Sequence, residues 1–433
     1  MKRPLIPVLL LSFAMIPLGL ARAQGAAGGN EAWPKVQGAD VVAPALLKGP
    51  YHTVVEPVII EGHMARFVIE SRFGNFSVLG ERMLAVRVSE LAAIETLQNV
   101  QQSDAFKEAL SASGGKLVDF GKSAVSEPGK TVENIGSGIG TVLGRVAYLA
   151  KSGTEYVGDK VSDATSSAPR EAAQAKPETA GEPEPPAFIG DPLGYNMARR
   201  EWAKKLNIDP YTTNPVLRPL LDKAATATFA GNFGVNATVG ALVGPWQLTY
   251  EFDDLTRQSV WNSPAIDLEK SNKEKLAALG IPDRAARNLI RNKWFTPTLQ
   301  TALVARIESL GKIKGIESVV TAATAAQGES RARFLLESVG MLAEAHRKET
   351  PLVEIRMSNL VPAGITSGGR LVAAVGIDYG IWDKDAAAFV QRKEFAGSGK
   401  TLLVAGMLSA RAQQMITKAG WEVKPRLRSA RKP

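Results

Sequence analysis

The sequence predicts an α+β protein, and three patterns predict it. Apolar residues alternate between His52 and Leu79 and recur at three- and four-residue spacing from Leu84 to Ile94. Helical periodicity then dominates residues 196–347, and strand-type runs return from Leu352 onward. The expected architecture is a small antiparallel β-element with helices at the N-terminus, a disordered linker, and a mainly helical C-terminal domain ending in a small mixed α/β sheet.

Residues 1–23 predict a secretory signal peptide: Lys2 and Arg3, an apolar run from Val8 to Leu20, then Ala21-Arg22-Ala23 as the small-x-small cleavage site. The run is short for a membrane span and contains Pro17. The expected location is therefore exported and periplasmic, peripheral to a membrane if attached to one. Loss of Lys2, Arg3 and Arg22 with that peptide lowers the formal charge from +9 to +6. Lys424, Arg426, Arg428, Arg431 and Lys432 form a basic tail that can contact an anionic surface, and nothing predicts specific nucleic-acid binding.

Cysteine is absent and only His52, His63 and His346 are present. Disulfides, thiol catalysis, thiolate metal sites and multi-histidine metal sites are thereby excluded. No cofactor and no metal are expected.

Residues 24–48, rich in Gly, Ala and Pro, predict a flexible lead, and residues 49–112 a small α+β domain. His52 to Ile60 reads as a strand, Glu61-Gly62 as a turn, and Met64 to Ser71 as a strand with Ala65, Phe67 and Ile69 on one side. Gly74-Asn75 turns the chain into Phe76 to Leu79. A helix from beyond Gly80 to about Gln101, carrying Leu84, Val88, Leu91 and Ile94, covers the sheet, and a short helix spans Asp104 to Ser111.

Residues 113–161 predict an amphipathic glycine-zipper segment. Val132, Ile135, Ile139, Val142, Val146 and Leu149 form an apolar stripe beside Gly136, Gly140 and Gly144. Each glycine weakens a helix by about 1 kcal/mol relative to alanine, and close helix approach is the usual offset. These nine residues are the expected interaction face, toward a membrane surface, an envelope protein or a second copy. Residues 162–188, with Glu182-Pro183-Glu184-Pro185-Pro186, predict a disordered linker.

Residues 189–433 form the C-terminal domain. Helices are expected at Asn196–Leu206, after the Asp209-Pro210 turn, at Asn272–Leu279, from Asp283 to Ile290, from Thr296-Pro297 to Leu310, and at Glu329–Arg347. Strands follow at Leu352–Met357 and Leu371–Ile377, a helix at Asp383–Arg392, a strand at Thr401–Ala405, a helix capped by Ser409, and a strand at Trp421–Val423.

Gly397-Ser398-Gly399-Lys400-Thr401 resembles the end of a phosphate-binding loop, but Glu394 stands where its first glycine belongs and a strand follows it. It reads as a turn. Glu251, Asp253 and Asp254, and Asp378, Asp383 and Asp385, are carboxylate clusters without a metal-loop pattern. Ala224 to Tyr250 is uncharged and reads as a small-residue core segment. The leading functional expectation is a non-catalytic envelope interaction or scaffold module. The alternatives are a periplasmic hydrolase with an acidic C-terminal site, built from Asp378 and Asp383, and a secreted membrane-perturbing effector.

Overall fold

The computed structural model describes residues 29–112, 194–231, 233–234 and 252–430. The predicted signal peptide, the glycine-zipper residues Val132 to Leu149, the linker, and Glu251 lie outside the described residues.

The first sheet is antiparallel throughout. It contains β1 (Lys35–Val36), β2 (Lys48–Gly49), β3 (His52–Val54), β4 (Val58–Glu61), β5 (Met64–Ser71) and β6 (Gly74–Leu79). β5 is its centre: β6 runs along one edge, while β4 pairs with its first half and β3 with its second. The single strand expected from His52 to Ile60 is thus two. Pro57 has no N–H to donate to a ladder, and the chain leaves the sheet there. Ala65, Phe67 and Ile69 are fully buried, as alternation predicts.

The predicted flexible lead is corrected from residue 35 onward. Two one-turn helices, α1 (Gly38–Val41) and α2 (Pro44–Leu47), bury Val42 and Leu46 in the core, and Glu56 accepts a hydrogen bond from the Gly38 N–H at 2.5 Å. Apolar side chains among the small residues suffice to dock the segment.

After Gly80, whose φ of +96° favours glycine, α3 (Glu81–Gln102) packs Leu84, Leu91, Ile94 and Leu97 into this core. α4 (Asp104–Ala112), α5 (Tyr195–Leu206) and α6 (Leu217–Gly231) complete it. Phe106 meets Phe233 edge-on at 5.3 Å, and buried Trp202 stacks on Phe233 at 6.4 Å while its Nε1–H donates to Thr228 Oγ1 at 2.9 Å. The N-terminal core therefore reaches across residues 113–193 in sequence and takes in α5 and α6, beyond the predicted 49–112 unit. The α3–α4 surface carrying Val100, Phe106 and Ala109 needs that cover.

The second half begins with α7 (Asp254–Asn262) and then gathers helices α8 (Ala265–Ala278), α9 (Asp283–Ile290), α10 (Pro297–Leu310), α11 (Glu317–Thr324) and α12 (Glu329–Lys348) into one core with one face of a sheet. That sheet contains β7 (Leu352–Ser358), β8 (Val361–Thr366), β9 (Arg370–Val375), β11 (Gly399–Val404) and β13 (Trp421–Lys424), in the order β13-β11-β9-β8-β7. β9, β11 and β13 are parallel, and β7, β8 and β9 antiparallel. Val372 and Ala374 face the helices, whereas Leu371, Ala373 and Val375 face α13 (Lys384–Val390), α14 (Ala410–Lys418) and an aromatic cluster of Phe389, Phe395 and Trp421. Cover on both faces explains why β9 is almost continuously apolar.

A short parallel pair, β10 (Tyr379–Gly380) with β12 (Met407–Leu408), adjoins the first sheet. There the His63 carbonyl accepts from the N–H groups of Asp378 and Tyr379, both at 3.1 Å. α15 (Leu427–Ala430) ends the described chain.

Candidate functional site

Two buried polar constellations hang on α3. The first lies at its N-terminus. Asp378 Oδ2 accepts from the Ala65 N–H at 2.9 Å, and both its oxygens accept from the Glu81 N–H at 3.3 Å. A carboxylate there satisfies a free helical N–H and favours the helix dipole. Arg428, from α15, donates through Nη1 to Asp378 Oδ1 and Glu81 Oε2, each at 2.7 Å. Its Nε and Nη2 grip Glu337 of α12 at 2.9 and 2.6 Å, and Arg82 donates to the same Glu337 at 3.1 and 2.9 Å.

Burial pushes the Glu337 carboxyl up, but the Arg428 and Arg82 guanidiniums bring it down to about 2. Glu81 stands above its usual range because burial outweighs Arg428. Asp378 has both oxygens committed, so it works as a helix cap and an interdomain tie. Its expected hydrolase partner, Asp383, is likewise engaged at a helix start. Asp383 Oδ1 caps α13 by accepting from the Asp385 and Ala386 N–H groups at 3.0 and 2.8 Å, and its Oδ2 lies 3.6 Å from His63 Nε2. Burial lowers the His63 pKa, with Asp383 and Asp385 opposing.

The basic tail is likewise partly consumed. Arg428 is enclosed by three acids and is not offered to an external anion.

The second constellation lines a cavity of about 90 Å³ between α3, the turn after α5, α7, and the facing ends of α10 and α12. Glu90 of α3 accepts from Arg87 Nη1 and Asn214 Nδ2, both at 2.9 Å, and from the Thr212 hydroxyl. Arg87 Nη2 donates to Thr213 Oγ1 at 2.7 Å, and that hydroxyl donates to Glu329 Oε2 at 2.6 Å. Arg333 holds the other Glu329 oxygen through Nε at 2.9 Å. These charges are balanced among themselves.

Asp209 differs. Its Oδ1 accepts from Thr298 Oγ1 at 2.6 Å and the Tyr211 N–H at 2.8 Å. Both donors are neutral, and burial pushes the carboxyl up to about 6 against those bonds and the field of Arg333. Arg257, which lines the same cavity, lies 5.8 Å over the Trp261 ring, pairs through Nη2 with exposed Asp254, and has a buried Nε with no hydrogen-bond partner among the described residues. Trp261 is fixed by its Nε1–H donating to Ile208 O at 2.9 Å.

Sequence reasoning reads Asp209-Pro210 only as a turn. The available signal was the polar density of Asn207, Asp209, Thr212, Thr213 and Asn214 between two helices, where few side chains are needed merely to turn the chain. The other flagged residues serve the fold. Asp253 caps α7 through the Thr256 N–H at 2.8 Å, and His346 Nδ1 accepts from the Leu352 N–H at 2.9 Å. Gly397 to Thr401 runs into β11, with Lys400 Nζ donating to Ala419 O at 3.1 Å.

Among the described residues no group of His, Asp and Glu is arranged to hold a metal, and no helix is long and apolar enough to cross a membrane. No family model matches the chain, and neither a curated protein nor a solved structure does.

Proposed function

We propose that the protein is an exported, non-catalytic interaction module of the cell envelope that attaches to membrane, directly or through a membrane-resident partner, by its glycine ridge. The contact residues are Gly136, Gly140 and Gly144 with the flanking stripe of Val132, Ile135, Ile139, Val142, Val146 and Leu149.

One observation supports this reading above the others. α4 and α5, which border residues 113–193, both pack on α6. Phe106 of α4 contacts Phe233 just beyond α6, and Gly194 abuts Phe229 so closely that a Cβ there would overlap the ring. The segment carrying the ridge thus leaves from and returns to one anchored helix cluster. A recognition segment borne on a rigid scaffold is a recurrent arrangement.

The test is the pair of substitutions Gly140→Leu and Gly144→Leu in the full chain. Bulky side chains on the ridge remove the close approach that would offset the helical cost of glycine. Sedimentation with membranes should fall while thermal unfolding of the folded core stays unchanged. Wild-type sedimentation of the double variant would contradict the reading.

A further inference from the structure

We infer that the cavity between α3 and α7 binds a small zwitterion, an α-amino acid of glycine or alanine size, with Asp209 taking its ammonium and Arg257 its carboxylate.

The cavity has one acidic and one basic group whose bonding is incomplete. Asp209 lines it and, among the described residues, accepts its hydrogen bonds from Thr298 and Tyr211 on Oδ1, which leaves Oδ2 to meet an incoming donor. Arg257 also lines it and has a buried Nε–H with no acceptor among the described residues, while its ion pair is made to the exposed Asp254. The remaining charges that face the cavity are already satisfied: Glu90 by Arg87, Asn214 and Thr212, and Arg333 by Glu329.

A buried donor without an acceptor costs roughly 1–3 kcal/mol, and a carboxylate held by neutral donors alone is similarly unfavourable. One molecule carrying both a cationic donor and an anionic acceptor relieves both, through charge-assisted bonds. A simple amine or a simple carboxylate relieves one and leaves the other.

Size and walls narrow the class. On the scale where a single water needs about 10–15 Å³, a volume of about 90 Å³ has room for several waters or one small molecule. Val86, Val260, Phe252 and Trp261 supply an apolar wall against which a methyl group can lie. An ammonium beside Asp209 also favours its ionised form, so binding weakens as pH falls below about 6.

The experiment is titration calorimetry of the full chain with glycine, alanine, leucine, ethylamine and acetate at pH 7.5. Glycine or alanine should bind, with ethylamine and acetate weaker by about tenfold or more for the lost charge-assisted bond, and leucine silent. Asp209→Asn and, separately, Arg257→Met should each weaken the amino acid by a similar factor while circular dichroism stays unchanged. If either variant fails to fold, the ligand series on the wild-type chain still decides. Absence of heat with both glycine and alanine, or ethylamine binding as tightly as they do, would overturn the assignment. So would folded variants that bind like wild type.

Discussion

Arg428 and Glu337 form a two-pronged, parallel pair, Nε to Oε1 at 2.9 Å and Nη2 to Oε2 at 2.6 Å, with both side chains largely shielded from solvent where α12, α15 and the start of α3 meet. This geometry is the strongest that arginine and a carboxylate can make. Because Arg428 also reaches Glu81 and Asp378, one side chain ties α12 and the chain just after β9 to α3 and the first sheet.

Removing one partner of such a cluster leaves buried charge uncompensated. Arg428→Met should destabilise the fold by about 3–5 kcal/mol. Glu422→Ala, at an exposed pair with Arg370 and Lys424, should stay within about 0.5 kcal/mol. Denaturant unfolding of both variants measures this contrast.

The cluster also has a pH signature. Glu337 falls from an ordinary 4.5 to about 2, so its contribution to stability is present above about 4.5 and is lost as pH drops toward about 2. Glu81, raised by burial, has the opposite sign. The stability gap between wild type and Arg428→Met should therefore narrow between pH 6 and pH 3. Equilibrium unfolding across that range reads it, and a constant gap would show that Glu337 is not held by Arg428.

Asp209 predicts a gain. Its carboxyl rises from 3.8 to about 6, so its contribution is fully present below about 3.8 and is lost as pH rises through about 6. Asn cannot ionise and retains an acceptor for Thr298 and Tyr211. Asp209→Asn should match wild type near pH 3.5 and exceed it by about 2 kcal/mol at pH 8, as measured by thermal or denaturant unfolding. A more stable variant that binds less ligand is the trade-off expected of a site held in readiness.

Gly406 marks the crossing between the two sheets. A Cβ there would overlap the Asp378 carbonyl oxygen, which is backbone and cannot swing away. Gly406→Ala should cost about 2 kcal/mol or more and shift the Asp378 cap, visible as a lower midpoint in urea.

The elements legible in the sequence were those with local causes. Met64–Ser71 shows itself by alternation, α10 by Thr296 capping ahead of Pro297, and the end of α14 by Gly420, whose φ is +83°. β8 was missed because Pro362 and Gly364 interrupt its pattern, and α7 because Asp254–Asn262 has only Leu255, Val260 and Trp261 as large apolar residues. The site was less legible than the fold. Asp378 is defined by Ala65 and Glu81, some three hundred positions away, and Asp209 by Thr298 and Arg333 on two other helices. No spacing rule links residues that meet only through packing.

The proposed membrane attachment resides in residues 113–161. The decisive measurement is fractionation of the processed protein into soluble envelope and membrane fractions, with a salt wash and with residues 115–161 deleted in parallel. The intact protein should sediment through the wash, and the deletion should release a folded, soluble core. Recovery of both forms in the soluble fraction would contradict it.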